Sequence, residues 1–161
     1  VVNSGHDNAI IENINIVNST ISHAEKILVG GKAKSTKKIL MQNVTVCYAP
    51  KGIGNYILDF NGNDIPDGIK FESCLFGTGW GSTIRGIRSN ASNIVIDRCY
   101  RAKDLEWTLN AAGDAFMYPI DELNDLSETT EQIFEDPANN NYTIKSSDVK
   151  DRKIGDHRWY Q

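Results

Sequence analysis

Four segments of the chain follow one pattern and align without gaps, and this repeat constrains the fold more than any other feature. Each segment starts with an apolar residue, any residue, an apolar residue, any residue, a turn residue and a small residue. The segments are INIVNSTI, ILMQNVTV, IKFESCLF and IVIDRCYR, starting at Ile14, Ile39, Ile69 and Ile94. Their starts lie 25, 30 and 25 residues apart. Repeats of this length predict a solenoid in which each coil packs on its neighbours.

The alternation of apolar residues predicts that each segment is a strand with one buried face and a bend at the fifth position. Alternation with period two is typical of such strands. It slips by one residue at position five, and a slip turns the apolar side chains outward unless the chain bends there. Asn18 and Asn43 occupy this corner, where Asn tolerates the left-handed conformation and stacked Asn side chains can form hydrogen bonds. Ser73 and Arg98 replace them later, and Arg98 is expected to point to solvent.

A second, weaker set of apolar stretches lies between the four segments. It comprises residues 27–29, 56–60, 83–87 and 105–109. Each turn of the solenoid is therefore predicted to contain three short strands, joined by two loops and one tight corner. A leucine-rich repeat is excluded because the Leu/Asn consensus is missing, and a propeller because each turn has too few residues. The predicted fold is all-β, a right-handed parallel β-helix of about four to five coils with an irregular C-terminal cap.

The C-terminal part of the chain loses the repeat and becomes acidic. We assign residues 1–110 to the coils and residues 111–161 to a closing rung and C-terminal cap of the same domain, with a possible short helix within residues 121–132. A solenoid needs a cap because an exposed strand edge and apolar end would pair with other chains. Six apolar residues are candidates for this lid: Phe116, Met117, Ile133, Phe134, Tyr142 and Ile144.

Composition restricts the class of partner. With 161 residues, 40% hydrophobic residues and a net charge of −4, the chain fits one ordinary domain. Its mild acidity and dispersed basic residues argue against nucleic acid as a partner. No apolar run is long enough to span a bilayer. The chain opens in mid-pattern, without a cap before Ile14, so we expect a fragment of a longer protein with upstream coils or domains, or a mature form cut from one. Any export signal would then lie outside this sequence.

The three cysteines are predicted to be structural. Cys47, Cys74 and Cys99 lack C-x-x-C spacing and lie far from the three His in the sequence, so a zinc site is not expected. Cys74 and Cys99 take the same position in consecutive segments, and stacked parallel positions about 4.8 Å apart suit a disulfide poorly. We expect two free thiols that face the core there. Cys47 is expected to point outward or into a loop and to react first with a thiol reagent.

The repeat and two C-terminal stretches resemble a known family. The I-x-I-x-N-small-x-F rung and FEDPANNNYTIKSS (Phe134–Ser147) resemble secreted pectate-lyase-like β-helix proteins. The tail IGDHRW (Ile154–Trp159) is similar to the end of β-helix domains attached to bacterial surface glycan-utilisation systems. The resemblance covers most of the chain. It implies a secreted or cell-surface protein with a polysaccharide as its partner, although fold alone does not determine activity.

The resemblance also implies one possible reaction. Family members that cleave acidic polysaccharides act by β-elimination, in which a cation neutralises the uronate carboxylate and a Lys or Arg removes the neighbouring proton. Their groove usually follows the strand after the longer loop, which is here the weaker apolar set. The candidates beside it are Asp59, Arg85, Arg88, Lys103 and Glu106. Arg85 is expected one rung from Asp59 and one from Glu106, an arrangement that a simple cross-strand ion pair also explains.

Trp80 completes the set of candidate substrate-binding residues with Asp59, Arg85 and Lys103. It lies in the Gly-rich loop FGTGWGS, and loops on a rigid scaffold often carry binding residues. Its ring either stacks on a sugar or packs against the solenoid as an anchor.

The loop DFNGNDIPDG offers oxygen atoms at spacings like those of calcium loops, from Asp59, Asn61, Asn63 and Asp67. It departs from an EF-hand because Asp64 replaces the sixth-position Gly and Lys70 stands where the bidentate Glu belongs. A polar turn explains the same composition. No cofactor or metal is therefore expected, and calcium is kept as the alternative.

Three functions remain open from the sequence. The first is an extracellular β-helix module that binds or presents a polysaccharide without catalysis. The second is a polysaccharide lyase that acts on uronate-containing glycans and has part of its groove in upstream coils. The third is a structural stalk or adhesin segment.

Overall fold

The computed structural model of the chain describes residues 1–4, 6, 8–30, 34–52, 54–81, 83–106, 117–118 and 123–161. The strands are β1 (Val2–Asn3), β2 (Asn13–Ser22), β3 (Leu28–Val29), β4 (Lys38–Cys47), β5 (Tyr56–Phe60), β6 (Ile69–Glu72), β7 (Leu75–Phe76), β8 (Arg85–Ser89), β9 (Ile94–Asp97), β10 (Tyr100–Arg101), β11 (Met117–Tyr118), β12 (Asn124–Asp125), β13 (Phe134–Asp136) and β14 (Asn141–Ile144). The helices are α1 (Thr130–Ile133) and α2 (Ser147–Arg152), and Pro137–Asn139 and His157–Trp159 form single 3₁₀ turns.

The strands stack in parallel as a β-helix of about four turns, which confirms the predicted fold. On the first face, Ile14 pairs in register with Ile39, Ile39 with Ile69, and Ile69 with Ile94. The first three of these isoleucines are buried, and Ile94 packs against the same core. The predicted inward column is therefore confirmed, and it forms one wall of the hydrophobic interior.

The bend at position five separates the first face from a second one, which contains the later halves of β2 and β4 and strands β7, β10 and β12. Asn18, Asn43, Ser73 and Arg98 have φ angles of 47°, 52°, 52° and 49°, so the corner is left-handed in all four aligned segments. Asn43 Nδ2 donates a hydrogen bond to Asn18 Oδ1 over 2.9 Å. Arg98 is exposed as expected, and its guanidinium donates to the Ser73 hydroxyl. The column of polar side chains therefore continues past the two asparagines through this Arg–Ser contact.

The third face contains the weaker set of apolar stretches. Strands β1, β3, β5 and β8 stack there in parallel, and β11 then pairs with β8 in the antiparallel direction. Ile84 and Ile87 are both buried although their positions have opposite parity. This is possible because Ile84 precedes β8 and donates its N–H to the Glu106 carbonyl outside the regular ladder. Residues 107–109 of the predicted last stretch lie outside the described residues.

The C-terminal segment covers the outer side of the second face. Ile133, Phe134, Tyr142 and Ile144 are buried in a cluster of their own. Its members from the coils are Cys47, Leu75, Ala102 and Leu126, which lie on or directly after strands of the second face. Four of the predicted lid residues thus do bury together, but they cover a flank of the solenoid and not its end. Phe116 and the side chain of Met117 lie outside the described residues.

The acidic stretch before this segment contains less helix than predicted. Asn124 and Asp125 pair in parallel with Tyr100 and Arg101, so they extend the second face by one rung. The helix begins only at Thr130, where the Thr129 N–H donates to the Gln132 side chain over 2.9 Å. The prediction of a helix was wrong for residues 123–129 because their backbone groups serve the sheet and a turn.

The tail IGDHRW ties neighbouring coils together through the fully buried Asp156. Asp156 accepts a hydrogen bond from the Thr20 hydroxyl (2.8 Å), and its N–H donates to Thr45 Oγ1 (2.9 Å). Trp159 Nε1 also donates to Thr20 Oγ1, over 2.7 Å. Burial raises the pKa of Asp156, but hydrogen bonds from Arg158 and Thr20 outweigh it, so the pKa lies below its ordinary value. The folded tail therefore favours the ionised carboxylate.

Gly155→Ala is expected to destabilise the protein more than Gly81→Ala. Both glycines have a positive φ, 81° and 85°, so both variants carry the strain of a left-handed residue, about 1–2 kcal/mol. At Gly155 the new Cβ would also lie 2.6 Å from Thr45 Oγ1, whereas no described residue comes within 4 Å at Gly81. That overlap should add about 1–3 kcal/mol. Urea unfolding measures both losses, and equal losses would show that the tail does not pack here.

Asp156→Asn is expected to remove part of the acid sensitivity of the fold. Since the folded pKa is depressed, the carboxylate stabilises the protein above its unfolded pKa of about 3.9, and this contribution disappears as the pH falls through the folded value. The variant should be less stable at pH 7, by about 1–3 kcal/mol, and should depend less steeply on pH below about 4. Asp148→Asn, at an exposed carboxylate paired with Arg152, is the matched control. Parallel pH profiles for wild type and Asp156→Asn would contradict the assignment.

Candidate functional site

A groove of about 550 Å³ opens at the end of the second face, where the chain turns towards the third. Its lining includes the aromatic residues His23, Tyr48 and Trp80 and the acidic residues Asp104 and Glu106. His23 and Tyr48 directly follow strands β2 and β4, Trp80 lies between β7 and β8, and Asp104 and Glu106 follow β10 by a few residues. The rigid coils therefore position a concave surface that combines aromatic and acidic groups.

His23 and Tyr48 form a column because the coils stack in register. Ser22 pairs with Cys47, so the next residues of the two coils lie above one another. Both have a left-handed backbone, with φ angles of 47° and 49°, which repeats the conformation of the first corner. Their rings stack with centroids 5.0 Å apart and planes 24° apart. The Tyr48 N–H donates to the Thr78 carbonyl over 2.7 Å, which holds the column on the next coil.

The backbone around Trp80 holds its ring at the groove. The Trp80 N–H donates to the Pro50 carbonyl over 3.2 Å, and its own carbonyl accepts from Gly52 over 3.1 Å. The half-buried ring meets the edge of His23 at 5.7 Å between centroids, and the Lys51 ammonium lies 4.7 Å from the ring centre. Trp80 is thus partly packed against the solenoid and also lines the groove.

Asp104 is oriented by the C-terminal segment. Its Oδ1 accepts hydrogen bonds from the Thr130 N–H (2.8 Å) and the Thr130 hydroxyl (2.9 Å). The same hydroxyl accepts from the Thr78 N–H over 2.7 Å, which connects helix α1 to the groove. Glu106 is exposed, and its carbonyl accepts from Ile84. One carboxylate of the groove is therefore held rigidly and the other reaches into solvent.

Burial and nearby acidic groups both act on the Tyr48 phenol. Burial raises the pKa of the Tyr48 phenol, and nearby acidic groups, which include Glu131 and Asp104, raise it further. Negative charge near a phenol disfavours the phenolate. The Tyr48 hydroxyl therefore stays protonated at neutral pH and can donate a hydrogen bond to a ligand.

Two of the predicted binding residues, Asp59 and Arg85, lie outside this groove on the third face. The register places Arg88, and not Arg85, opposite Asp59. Arg88 forms two hydrogen bonds with the Asp59 carboxylate, of 2.8 and 2.7 Å, and its guanidinium lies 4.5 Å from the Tyr56 ring centre. Arg85 donates to the Tyr56 hydroxyl over 3.2 Å. These contacts form a cross-strand network in which the Asp59 carboxylate is engaged by Arg88.

Lys103 lies on a third surface. It is exposed and lines a smaller pocket of about 380 Å³ together with Arg101 and Asp125, which form an ion pair. The four predicted binding residues are therefore divided among the third face, the groove and this pocket. The structure does not bring them together into one site, and the binding role of each stays a prediction.

The calcium-like loop is folded as a turn. Gly62, Ile65 and Gly68 have φ angles of 72°, 43° and 88°, and Asn63 is buried with its amide directed at the Asn61 carbonyl. Among the residues that the structure describes, no group of three or more His, Cys, Asp and Glu could hold a metal ion. The polar-turn interpretation accounts for these contacts, and the calcium alternative stays untested.

Sequence reasoning named Trp80 and Glu106 of the groove but missed the aromatic column of His23 and Tyr48. His23 and Tyr48 occupy the same position of consecutive repeats, two residues beyond the end of the aligned segments. Extending the alignment would have shown two aromatic residues stacked at a second corner. Asp104 has no such signal, because its orientation depends on Thr130, 26 residues later.

No family model, curated protein or solved structure matches the chain. Within the described ranges, no helix has the length and apolar character needed to cross a membrane. The fold and the groove are therefore the basis for a functional proposal.

The three cysteines are free and buried, which confirms the prediction for Cys74 and Cys99. The Cys74 N–H donates to Cys99 Sγ over 3.4 Å, so the two thiols stack on adjacent coils. The expectation of an accessible Cys47 is wrong, because the C-terminal segment covers this side chain completely. Burial raises the pKa of the Cys47 and Cys74 thiols. Thiolate is the reactive form, so these two are poor nucleophiles.

Alkylation should distinguish Cys47, which lies under the C-terminal segment, from Cys74 and Cys99, which lie in the interior of the solenoid. In the native protein we expect none of the three thiols to react on the timescale of an exposed cysteine, and in denaturant without reductant all three should react. In Gly155→Ala, which loosens the C-terminal segment, Cys47 should react before Cys74 and Cys99, because those two face the interior. Mass spectrometry of the alkylated peptides gives the order. Rapid labelling of Cys47 in the wild type would show that the second face is open.

Proposed function

We propose that the protein is a non-catalytic β-helix module that binds a polysaccharide in the groove lined by His23, Tyr48, Trp80, Asp104 and Glu106. The observation that carries this proposal is the combination of aromatic rings and carboxylates in one concavity on a rigid scaffold. The apolar face of a sugar packs on aromatic rings, and its hydroxyl groups donate to carboxylates. The volume of about 550 Å³ lies within the range of small-molecule sites.

We place this module outside the cell, as part of a secreted or cell-surface protein. The support is the resemblance of the rung and of the C-terminal stretches to secreted β-helix proteins. The buried, unpaired cysteines neither favour nor oppose this location, since they behave as small apolar side chains.

The lyase alternative has less support in this groove. β-Elimination needs a cationic group at the uronate carboxylate and a basic side chain at the proton. The groove instead presents Asp104 and Glu106, and its nearby ammonium, Lys51, lies over the Trp80 ring. On the third face, Arg88 is engaged by Asp59.

Trp80→Ala is expected to weaken glycan binding roughly tenfold or more, because the largest ring of the groove is removed. A glycan array selects the ligand, and calorimetric titration then measures the affinity of wild type and variant. Tyr100→Ala is the control, since Tyr100 is an aromatic residue under Arg152 on the outer side of the coils. Trp80→Phe should keep most of the affinity.

Each other outcome points to a different conclusion. A blank array would favour the structural stalk or adhesin. Binding that is unchanged in Trp80→Ala would place the ligand elsewhere on the protein. Unsaturated uronate products, detected by absorbance after incubation with pectin or alginate, would favour the lyase.

A further inference from the structure

We infer that the groove selects glycans that carry positively charged amino groups and discriminates against uronates. This inference rests on the proposed function and adds the chemical class of the ligand. It follows from the acidic and aromatic residues that line the groove and from Lys51, which lies over the Trp80 ring.

The first step concerns the carboxylates. A carboxylate has about four acceptor positions, and the two hydrogen bonds from Thr130 both go to Oδ1 of Asp104. Glu106 is exposed at the rim. A ligand ammonium would be attracted by both groups, whereas the carboxylate of a uronate would be repelled by them. The sign of the groove therefore opposes the ligand class that a β-elimination enzyme requires.

The second step concerns the aromatic rings. Trp and Tyr present electron-rich faces, and a cation within about 6 Å of a ring centre is attracted to them. The Lys51 ammonium makes such a contact with Trp80 and lies 4.7 Å from the centre of its ring. An ammonium group of the protein thus already lies on the largest ring of the groove.

The third step concerns Lys51 itself. Its side chain is exposed, so it can leave Trp80 without the cost of opening a core. A ligand ammonium at Trp80 would displace the Lys51 ammonium from the ring. It would then be the cation that interacts with the carboxylates of Asp104 and Glu106. Lys51 therefore acts as a competitor of a cationic ligand, and its removal should strengthen binding. A uronate ligand predicts the opposite, because Lys51 is then the nearest cationic partner.

The test uses three oligosaccharide probes of equal length, made of glucosamine, N-acetylglucosamine or galacturonate. Calorimetric titration of the wild type at low and physiological salt should show glucosamine hexamer binding at least tenfold more tightly than the other two. Glu106→Gln should reduce this preference several-fold. Lys51→Gln should increase the affinity for glucosamine hexamer and leave that for N-acetylglucosamine hexamer unchanged.

Two controls separate the groove from general attraction between a polycation and an acidic protein. Glu135→Gln removes the same charge from an exposed position in strand β13, and it should leave the preference unchanged. Trp80→Ala keeps every charge but should abolish tight binding of glucosamine hexamer. Binding that survives Trp80→Ala and weakens equally in both Glu→Gln variants would overturn the inference.

The remaining outcomes distinguish the two proposals. One outcome is that galacturonate hexamer binds as well as or better than glucosamine hexamer and that Lys51→Gln lowers the affinity for galacturonate hexamer. The inference then fails, while glycan binding in the groove stands. If N-acetylglucosamine hexamer binds equally well and Glu106→Gln has no effect, charge does not select the ligand, and again only the inference fails. If a glycan array and all three probes show no binding, both proposals fail.

Discussion

The left-handed corner at position five is the constraint on which the other features depend. Asn18, Asn43, Ser73 and Arg98 all adopt it, with φ angles between 47° and 52°. The bend lets one continuous run of backbone keep its apolar side chains inward on two faces, because it absorbs the one-residue slip in alternation. Once the coils are in register, the residues that directly follow the strands of the second face also lie above one another. The aromatic column of His23 and Tyr48 is a consequence of this register, repeated at a second left-handed corner.

The coils could be predicted from the sequence because the features that specify them lie within short segments of the chain. Alternation, the turn residue and the spacing between repeats all occur within short segments, and the pairing of Ile14, Ile39 and Ile69 follows from them. The position of the C-terminal segment could not be predicted, since it depends on contacts such as Asp156 with Thr20, 136 residues apart. Such contacts leave no periodic signal. The apolar lid residues were recognised, but the surface that they cover was not.

The candidate site was predicted only in part, for a related reason. Trp80 is conspicuous in a Gly-rich loop, whereas Asp59 and Arg85 were assigned from the expected rung order of the third face. That face has short strands with imperfect alternation, and the true register pairs Asp59 with Arg88. Charged residues on neighbouring strands can form ion pairs with one another. Such an ion pair explains the presence of these residues more simply than a ligand site does. Aromatic residues at repeated loop positions are the more informative signal in this chain.

The C-terminal segment connects the stability of the coils to the geometry of the groove. Its tail binds Thr20 and Thr45 on the second face, and its helix α1 starts with Thr130, which holds both Asp104 and the Thr78 N–H. Loss of this segment would uncover Cys47 and Leu75 and would also release a carboxylate of the groove. The Asp104 carboxylate is oriented by Thr130, which belongs to the segment that covers the apolar surface of the second face. The groove is therefore preorganised by the same packing that protects the second face.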